Sequence, residues 1–476
     1  MVRRELVLRL SQRGGLSSSR WLASTTAHQH HQQPPVVPRE SKREDLRNLS
    51  SYAAAAPPKK RFSFVPEAWL AVPEKYKFGL GVVATSQALL NFGFGVVVPI
   101  LPAYAATTLG MGASGVGVVL ATPALMRVLL NAPCGKLADK VGRVPMMAAG
   151  EGLAAVGVAC TGFASGVGEM IAARTLLGAG GAAATAGSAA WTADLTALRT
   201  TRPHRGALLG GMSALTSASW VLGPAIGGLL CHQLGPTAMF GGVSAMTAIC
   251  AASYIFLPEI DKKEGPRSKT SDSASAVDSS SREAEKTSQR TMSELLQCPR
   301  QRAAVVANAA LSANYAVALS VFPLHCAGVC GYGPLEVGCL FSGMAALGCV
   351  GGPVSGWLSD KFGRAYVIAP GLALCALGNV AMSFAVDPVS LTTAAFVLGA
   401  GECLAAPAIA AATADEAPAE HRSEALSLSR TASDVVFLTL PPSLGLAADA
   451  LGCGVPFALI GAASGVAALH VFRRLR

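Results

Sequence analysis

Charged residues are scarce in this sequence. They make up 14% of the 476 residues, while hydrophobic residues make up 51%. A typical soluble domain has about 25% charged residues. A soluble protein of this size could not bury so much apolar surface, whereas a lipid bilayer accepts it. The composition therefore excludes an ordinary soluble domain and predicts an integral membrane protein.

Motifs of enzyme and metal chemistry are also lacking. The twelve cysteines are scattered singly through apolar stretches, with no Cys-x-x-Cys and no His/Cys cluster at zinc spacing. Buried cysteine of this kind packs as a small hydrophobic residue. The sequence contains no nucleophile–base set and no nucleotide-binding loop. We therefore expect no enzymatic activity, no metal ion and no cofactor.

Long apolar runs recur along most of the chain. Each is close to the ~20 residues that cross ~30 Å of hydrocarbon. We number these predicted membrane-spanning helices 1 to 12. They cover residues 79–104, 113–134, 145–165, 168–190, 207–231, 236–257, 303–325, 334–355, 365–385, 388–411, 424–446 and 453–472. The prediction is an all-α membrane protein, in which hydropathy defines helices 4 and 10 least sharply because small residues dominate them.

A polar segment divides the helices six and six. Residues 259–302 hold nine Lys and Arg residues, eight acidic residues and many serines. Such a segment is too polar to insert into a bilayer, and its mixed charge is typical of a flexible linker. The sequence thus predicts an N-terminal bundle over 78–258 and a C-terminal bundle over 303–473.

Basic residues determine the expected orientation. The net charge of +10 comes mainly from Lys and Arg in the tails and in alternate loops, and the six loops on the opposite side carry none. Inside loops of membrane proteins are enriched in Lys and Arg, so both termini are predicted to face the cytosol or the equivalent compartment of an organelle. This distribution argues against a nucleic-acid partner and is explained by the lipid bilayer.

The N-terminal tail, over 1–65, is polar and basic. Up to Val37 there are five arginines and one acid, Glu5, and serine is frequent. This composition is typical of an organelle transit peptide, and a disordered cytosolic tail is the alternative. The tail therefore predicts a mitochondrial or plastid membrane, without separating the two.

The two halves contain the same motifs at one common spacing. The loop between helices 2 and 3 reads Gly-Lys-Leu-Ala-Asp-Lys-Val-Gly-Arg, and the loop between helices 8 and 9 reads Gly-Trp-Leu-Ser-Asp-Lys-Phe-Gly-Arg. A second motif, Leu-Gly-Ala-Gly followed by Thr-Ala-Asp, also occurs twice, with one copy beginning at Leu177 and the other at Leu398. These two copies are as far apart in the chain as the two loops. We call this spacing the repeat offset. Two motifs at a single offset predict parallel repeats of six helices. The candidate gate residues of the two loops are Gly135, Asp139, Gly142, Arg143, Gly356, Asp360, Gly363 and Arg364.

The gate residues have distinct physical roles. Gly135 allows helix 2 to end in close contact with its neighbour, and Gly142 permits a tight turn. Asp139 can cap a helix and pair with a base across the inner gate, while Arg143 holds the next helix end. The loop resembles the signature of the major facilitator superfamily, and the resemblance covers about residues 78–472. It implies the major facilitator fold and a substrate site between the two halves.

Two further motifs resemble those of drug:proton antiporters. Helix 5 carries a sequence similar to their antiporter motif, which implies a bent helix packed tightly at the interface between the halves. Its residues are Gly223, Pro224, Gly227 and Gly228. Helix 4 carries Arg174, similar to a buried arginine that the resemblance implicates in proton handling. A structural pairing of Arg174 with Glu169 is the alternative.

Vesicular amine transporters within this group are also similar. Their helix 1 pattern is present at 96–102, and Glu402 and Asp434 stand where that group carries acids in helices 10 and 11. The acid that binds the amine in helix 1 is missing, since Leu90 stands there beside Asn91. The departure argues against a monoamine substrate.

Ionisable residues inside the bilayer are the candidate functional groups. An ionised residue at the bilayer centre costs roughly 2.5–3.5 kcal/mol on insertion scales. Glu402 and Asp434 fall near mid-span, where a desolvated carboxyl can load and release a proton. The alternatives are a neutral, hydrogen-bonded acid and a local pair of Asp434 with Arg430. Arg127 either snorkels inward or faces the cavity. The proton-coupling candidates are Arg174, Glu402 and Asp434, and the cavity candidates are Asn91, Arg127, Asn314 and Tyr315.

These features predict a monomeric secondary transporter that couples the export or exchange of a small organic solute to protons. A proton-independent facilitator or anion exchanger, with Arg127 and Arg174 as substrate ligands, is the alternative of the same fold. A non-transporting membrane sensor or assembly factor is the alternative of another class. The intact gate motifs in both halves weigh against that last possibility.

Overall fold

The computed structural model describes residues 67–198, 200–201, 204–260, 296–417 and 422–476. The described residues form one compact unit. The predicted N-terminal tail and most of the predicted linker lie outside the described residues, so their roles stay predictions.

Twelve membrane-spanning helices occur in the described residues, in the expected order. Helix 1 is Glu74–Val97, continued after a break by Leu101–Leu109, and helix 7 is Pro299–Ser320, continued by Phe322–Cys330. The other helices are Ala113–Val141 (helix 2), Arg143–Phe163 (helix 3), Val167–Ala197 (helix 4), Arg205–Ser253 (helices 5 and 6), Pro334–Phe362 (helix 8), Ala365–Ser383 (helix 9), Pro388–Asp415 (helix 10), Arg422–Leu451 (helix 11) and Gly454–Leu475 (helix 12). A short helix Glu67–Leu70 precedes helix 1, and a 3₁₀ turn Tyr254–Phe256 follows helix 6. The predicted all-α fold of twelve helices is confirmed.

Hydropathy accounts for most of this count. Ten helical stretches in the described residues are long and apolar enough to cross a membrane, and one of them, Ala207–Phe256, contains both helices 5 and 6. Gly235 separates these two helices with φ 81° and ψ 166°, a conformation that glycine adopts without steric cost. Helix 4, with 31 residues rich in alanine and glycine, is the twelfth and is long enough to span.

Glycine contacts display the repeat in three dimensions. A Cβ added to Gly157 in helix 3 would lie 2.5 Å from the nitrogen of Leu177 in helix 4. A Cβ added to Gly378 in helix 9 would lie 2.6 Å from the nitrogen of Leu398 in helix 10. The second pair follows the first by the repeat offset, so both helix pairs pack backbone to backbone in the same register.

The two halves meet near the outside. A Cβ on Gly117 of helix 2 would lie 2.2 Å from the carbonyl oxygen of Pro441 in helix 11. A Cβ on Gly338 of helix 8 would lie 2.3 Å from the carbonyl oxygen of Pro224 in helix 5. We call these two contacts, between helices 2 and 11 and between helices 5 and 8, the outer seams.

A carboxylate reinforces one outer seam. Asp449, near the outer end of helix 11, accepts hydrogen bonds from the backbone N–H groups of Ala113 and Ser114 at 2.8 and 2.9 Å. These N–H groups belong to the first turn of helix 2, whose positive dipole end favours an anion. Within the described residues, each close glycine contact between the halves lies on the outer side. This conformation is therefore closed toward the outside.

Candidate functional site

An arginine joins two acids at the inner end of the N-terminal half. The Nη2 of Arg143 lies 3.2 Å from Oδ1 of Asp139, and its Nε lies 2.9 Å from Oδ2 of Asp194. Sequence reasoning expected Asp139 to pair across the inner gate, but here its partner belongs to the same half. Asp194 comes from the second repeated motif, so the two motifs meet in space.

The C-terminal half contains the same ion pairs at the repeat offset. The Nη1 of Arg364 lies 2.6 Å from Oδ1 of Asp360, and its Nη2 lies 2.8 Å from Oδ2 of Asp415. Burial lowers the pKa of Arg364, but hydrogen bonds and charge from Asp415 and Asp360 outweigh burial and raise that pKa above its ordinary value. The guanidinium therefore stays charged, and the gate loops hold equivalent networks.

The gate glycines divide into two kinds. Gly142 and Gly363 have φ of 115° and 98°, which supports the tight turn that the sequence predicts. A Cβ on Gly135 or Gly356 would meet no atom of the described residues within 4 Å. The close contact expected at Gly135 is absent in this conformation, because the glycine contacts between the halves lie on the outer side.

The antiporter-like motif of helix 5 lies between helices 1 and 8. A Cβ on Gly223 would lie 2.8 Å from the carbonyl oxygen of Phe92, and one on Gly227 would lie 2.6 Å from Cα of Val96, both in helix 1. A Cβ on Gly228 would lie 2.4 Å from a helix 8 carbonyl oxygen. Together with Pro224 at the outer seam, the motif allows close backbone approach on both sides, as the resemblance implies.

A cavity of about 240 Å³ lies within the N-terminal half, between helices 1, 2, 3, 4 and 6. Asn91, Arg127 and Arg174 line it, so three predicted residues come together and Arg127 faces the cavity. Arg174 is only 5% exposed, and neither its Nε nor its Nη2 has a hydrogen-bond partner among the described residues. Glu169, the alternative partner, instead accepts hydrogen bonds from Ser165.

Sequence reasoning missed Glu151, which lines the same cavity from helix 3. Glu151 is 2% exposed. Its Oε1 accepts a hydrogen bond of 2.8 Å from the hydroxyl of Tyr254, and its Oε2 has no partner in the part of the chain that the structure describes. The signal was present in the sequence, because Glu151 is an acid inside the predicted span 145–165.

The two acids predicted to couple protons lie in the C-terminal half. Glu402 in helix 10 is 9% exposed, and its Oε1 has no hydrogen-bond partner within the described ranges. Asp434 in helix 11 is partly buried. The positive charges of Arg127 and Arg430 both act on the Asp434 carboxylate. Arg127 belongs to the other half, and Arg430 precedes Asp434 by four residues in the same helix.

Asn314 does not line the N-terminal cavity, and its hydrogen bonds are with other helices of the C-terminal half. It is fully buried, and its Nδ2 donates to the Ser464 hydroxyl at 3.0 Å. The Nδ2 of Asn379 donates to the Oδ1 of Asn314 at 2.6 Å. Asn314 thus joins helices 7, 9 and 12, because a buried amide requires protein partners. Tyr315 is likewise absent from the lining of the N-terminal cavity and packs against the core of the C-terminal half.

The sequence as a whole matches one family. The sequence model of the Major Facilitator Superfamily matches residues 83–302 and 304–476. The chain therefore belongs to the Major Facilitator Superfamily. Its duplicated gate loops and its twelve helices in two repeats agree with this membership.

Curated relatives match only part of the chain. Multidrug resistance protein 1 of Bacillus subtilis is 28% identical over 188 residues, which cover 39% of this chain and 47% of that protein. The probable vesicular acetylcholine transporter-B of Danio rerio is 29% identical over 202 residues, 41% of this chain and 40% of that protein. The chain thus spans less than half the length of these relatives.

Solved structures support the fold over a longer range. A bacterial homolog of the human lysosomal transporter Spinster, in an inward-facing and unoccupied conformation, superposes with a TM-score of 0.68. It is 14% identical, and the match covers 84% of this chain and 96% of that one. At this identity the likeness concerns the fold alone.

Proposed function

We propose that this protein is a secondary transporter that moves a small organic solute across a membrane by alternating access. The observation that carries the proposal is the closure of both outer seams while ionisable groups of both halves occupy the interior. A membrane protein that only senses or assembles has no evident need for such groups together with two gate networks. Multidrug and vesicular transporters among the relatives support the same class.

We further propose that the protein exports or exchanges the solute and that this movement is coupled to the movement of protons. The buried Glu402 and the partly buried Asp434 support this coupling, because carboxyls removed from water exchange protons near neutral pH more readily than exposed ones. A membrane potential supplies about 2.3 kcal/mol per charge per 100 mV. One proton could then sustain a roughly fiftyfold solute gradient at that potential.

The test uses purified protein in sealed vesicles. Untargeted comparison of metabolites between vesicles with and without the protein first identifies a solute. A pH jump is then imposed, and uptake of that solute is followed with and without a protonophore. We expect uphill accumulation that the protonophore abolishes. Solute movement that ignores the pH gradient would refute proton coupling while leaving transport intact.

A proton-independent facilitator or anion exchanger is the second candidate. Arg127 and Arg174 in the cavity lining favour it, since both can bind an anion. The same pH-jump assay separates the two candidates. The lipid bilayer, the solute and protons are the proposed partners, with a monomer as the functional unit and a mitochondrial or plastid membrane as the location.

A further inference from the structure

Arg174 presents an unpaired edge to the N-terminal cavity. Its free Nε and Nη2 lie on the same side of the guanidinium, the side that binds a carboxylate with two parallel hydrogen bonds. Arg364 uses this edge within the same protein, because its Nε and Nη2 lie 2.9 and 2.8 Å from Asp415. Arg174 therefore has the geometry of a carboxylate site whose carboxylate the described residues do not supply.

Two neighbouring polar residues of the cavity, Gln87 and Asn91, already have hydrogen-bond partners. The Nε2 of Gln87 donates to the Ser188 hydroxyl at 2.9 Å. Asn91 donates to the Gln87 carbonyl at 2.7 Å and accepts from Trp220 Nε1 at 3.2 Å. These hydrogen bonds hold helices 1, 4 and 5 together. Arg174, whose Nε and Nη2 have no partner among the described residues, is therefore a stronger anchor for a ligand than Gln87 or Asn91.

Glu151 is too distant to neutralise Arg174. Helices 3 and 4 pack with Gly150 against Ala184 and with Gly157 against Leu177. Glu151 is therefore level with the region near Ala184, almost three helical turns from Arg174 along helix 4. At about 1.5 Å of rise per residue, the backbone levels of the two residues are roughly 15 Å apart along helix 4, and no ion pair joins them among the described residues. A buried guanidinium without a near counter-ion is costly, and an anionic ligand would remove that cost.

Apolar side chains dominate the rest of the lining. Phe94, Val158, Phe240 and Val243 come from helices 1, 3 and 6. A cavity of this kind stabilises an apolar body by burial, while its few polar groups fix the orientation of the ligand. The ligand that fits both features has one carboxylate at the Arg174 end and a compact apolar body.

We propose that the N-terminal cavity binds an amphipathic organic carboxylate through the Nε and Nη2 of Arg174. This inference rests on the proposed transport function and names its substrate class. The inference also agrees with the absence of the helix 1 acid of amine transporters, since a carboxylate in place of Leu90 would repel an anionic substrate.

The test measures direct binding to purified protein in detergent. The probe is radiolabelled 4-phenylbutanoate, and the competitors are 4-phenylbutanamide and 4-phenylbutylamine, which share its body and differ in charge. We expect the carboxylate to bind at least tenfold more tightly than either competitor, because only it can accept both charge-assisted hydrogen bonds. Arg174→Gln should abolish this preference, and Arg174→Lys should restore part of it.

A steric variant tests the site with Arg174 in place. Gly181 lines the cavity, and a Cβ there would meet no atom of the described residues within 4 Å, so Gly181→Leu should fill the cavity without disturbing helix packing. Gly152 is equally unobstructed and is not among the lining residues, so Gly152→Leu is the matched control. We expect Gly181→Leu to weaken probe binding about tenfold or more, and the control to bind normally.

Several results would overturn the inference. These are equal or tighter binding of the amine, displacement of the probe by equimolar chloride or inorganic phosphate, and unchanged binding by Arg174→Gln and Gly181→Leu. Binding without pH-driven transport would instead count against the proposed function. Proton-coupled transport without carboxylate binding would refute only the inference, so the two failures are distinguishable.

Discussion

The two halves of the protein share a scaffold and differ in their interior charges. Glycine contacts and Arg–Asp networks recur at the repeat offset. The ionisable groups of the interior do not recur. The pairs at this offset are Arg127 and Gly348, Arg174 and Ala395, Gly181 and Glu402, and Ser213 and Asp434. Packing thus tolerates little change between the copies, while the interior charges differ: the N-terminal half has Arg127, Arg174 and Glu151, and the C-terminal half has the acids Glu402 and Asp434.

The largest expected effect comes from Asp434, the acid near mid-span of helix 11. Asp434→Asn should abolish uphill, pH-driven uptake, because the variant cannot release a proton. Exchange of solute for solute should survive, since it needs no net proton movement. Both are measured in the same reconstituted vesicles. Ser213→Ala, at the equivalent N-terminal position, should leave both activities intact.

Undiminished pH-driven uptake by Asp434→Asn would refute the proposal that Asp434 carries the coupling proton and would make Glu402 the leading candidate. If Asp434 serves only to neutralise Arg430, the double variant Asp434→Asn/Arg430→Gln should recover uptake. A nearly neutral effect of Asn, which is similar in size and hydrogen-bonds well, would indicate a structural role.

A smaller effect is expected at the gate networks, where the halves are alike. Asp139→Ala and Asp360→Ala should each slow transport up to about fivefold, because each removes one ion pair of a gate network, and an exposed ion pair is worth up to roughly 1 kcal/mol. Folding should persist, since the side chains of Asp139 and Asp360 are 68% and 70% exposed and exposed ion pairs contribute little stability. The checks are uptake rate and thermal unfolding. Wild-type uptake by both variants would contradict a role of these ion pairs in transport.

The outer seams offer a third comparison, because among the described residues a carboxylate of one half caps a helix of the other half only at the seam between helices 2 and 11. Position 228, equivalent to Asp449, is a glycine. Asp449→Ala should weaken the seam between helices 2 and 11 by about 0.5–2 kcal/mol, as loss of a helix cap does. Amide hydrogen exchange should therefore accelerate in the first turn of helix 2 and along both seams.

Asp387 provides the matched control for that measurement. It caps helix 10 within its own half by accepting from the N–H groups of Val389 and Ser390. Hydrogen bonds from Ser390 and from the backbone lower the pKa of Asp387, so this cap is intact at neutral pH and is lost only as pH falls through the lowered pKa. Asp387→Ala should accelerate exchange only in the first turn of helix 10. Equal acceleration of exchange along the seams in the two variants would contradict the proposed stabilisation of the seam by Asp449.

The smallest effect on transport is expected from the tail, which has no counterpart in the second half. Residues 1–60 fused to a fluorescent reporter should direct it to an organelle, because they are rich in arginine and serine with few acids. Deleting them should leave uptake by purified protein unchanged. A diffuse cytosolic reporter would argue against targeting.

The sequence predicts the helices well and the helix faces poorly. The apolar runs predict the order of the twelve spans, although helix 4 is not among the stretches apolar enough by hydropathy alone, and the repeat offset predicts the equivalence of the Arg143 and Arg364 networks. Membrane helices are apolar all round, so periodicity does not say which side of a helix faces a cavity. The hydrogen bonds of Asn314 with Ser464 and Asn379 could therefore not be predicted from the sequence. Glu151 was overlooked for a different reason, because it belongs to no motif.

The short outer turns and their lack of basic residues make the protein chemically one-sided. Gly235 alone separates helices 5 and 6, and none of the six outer loops contains lysine or arginine. Trypsin cleaves only after those residues, so it should cut from the inner face and leave the outer face intact. Digestion of sealed vesicles would then report the fraction of molecules in each orientation, and hence the direction in which a measured flux crosses the protein.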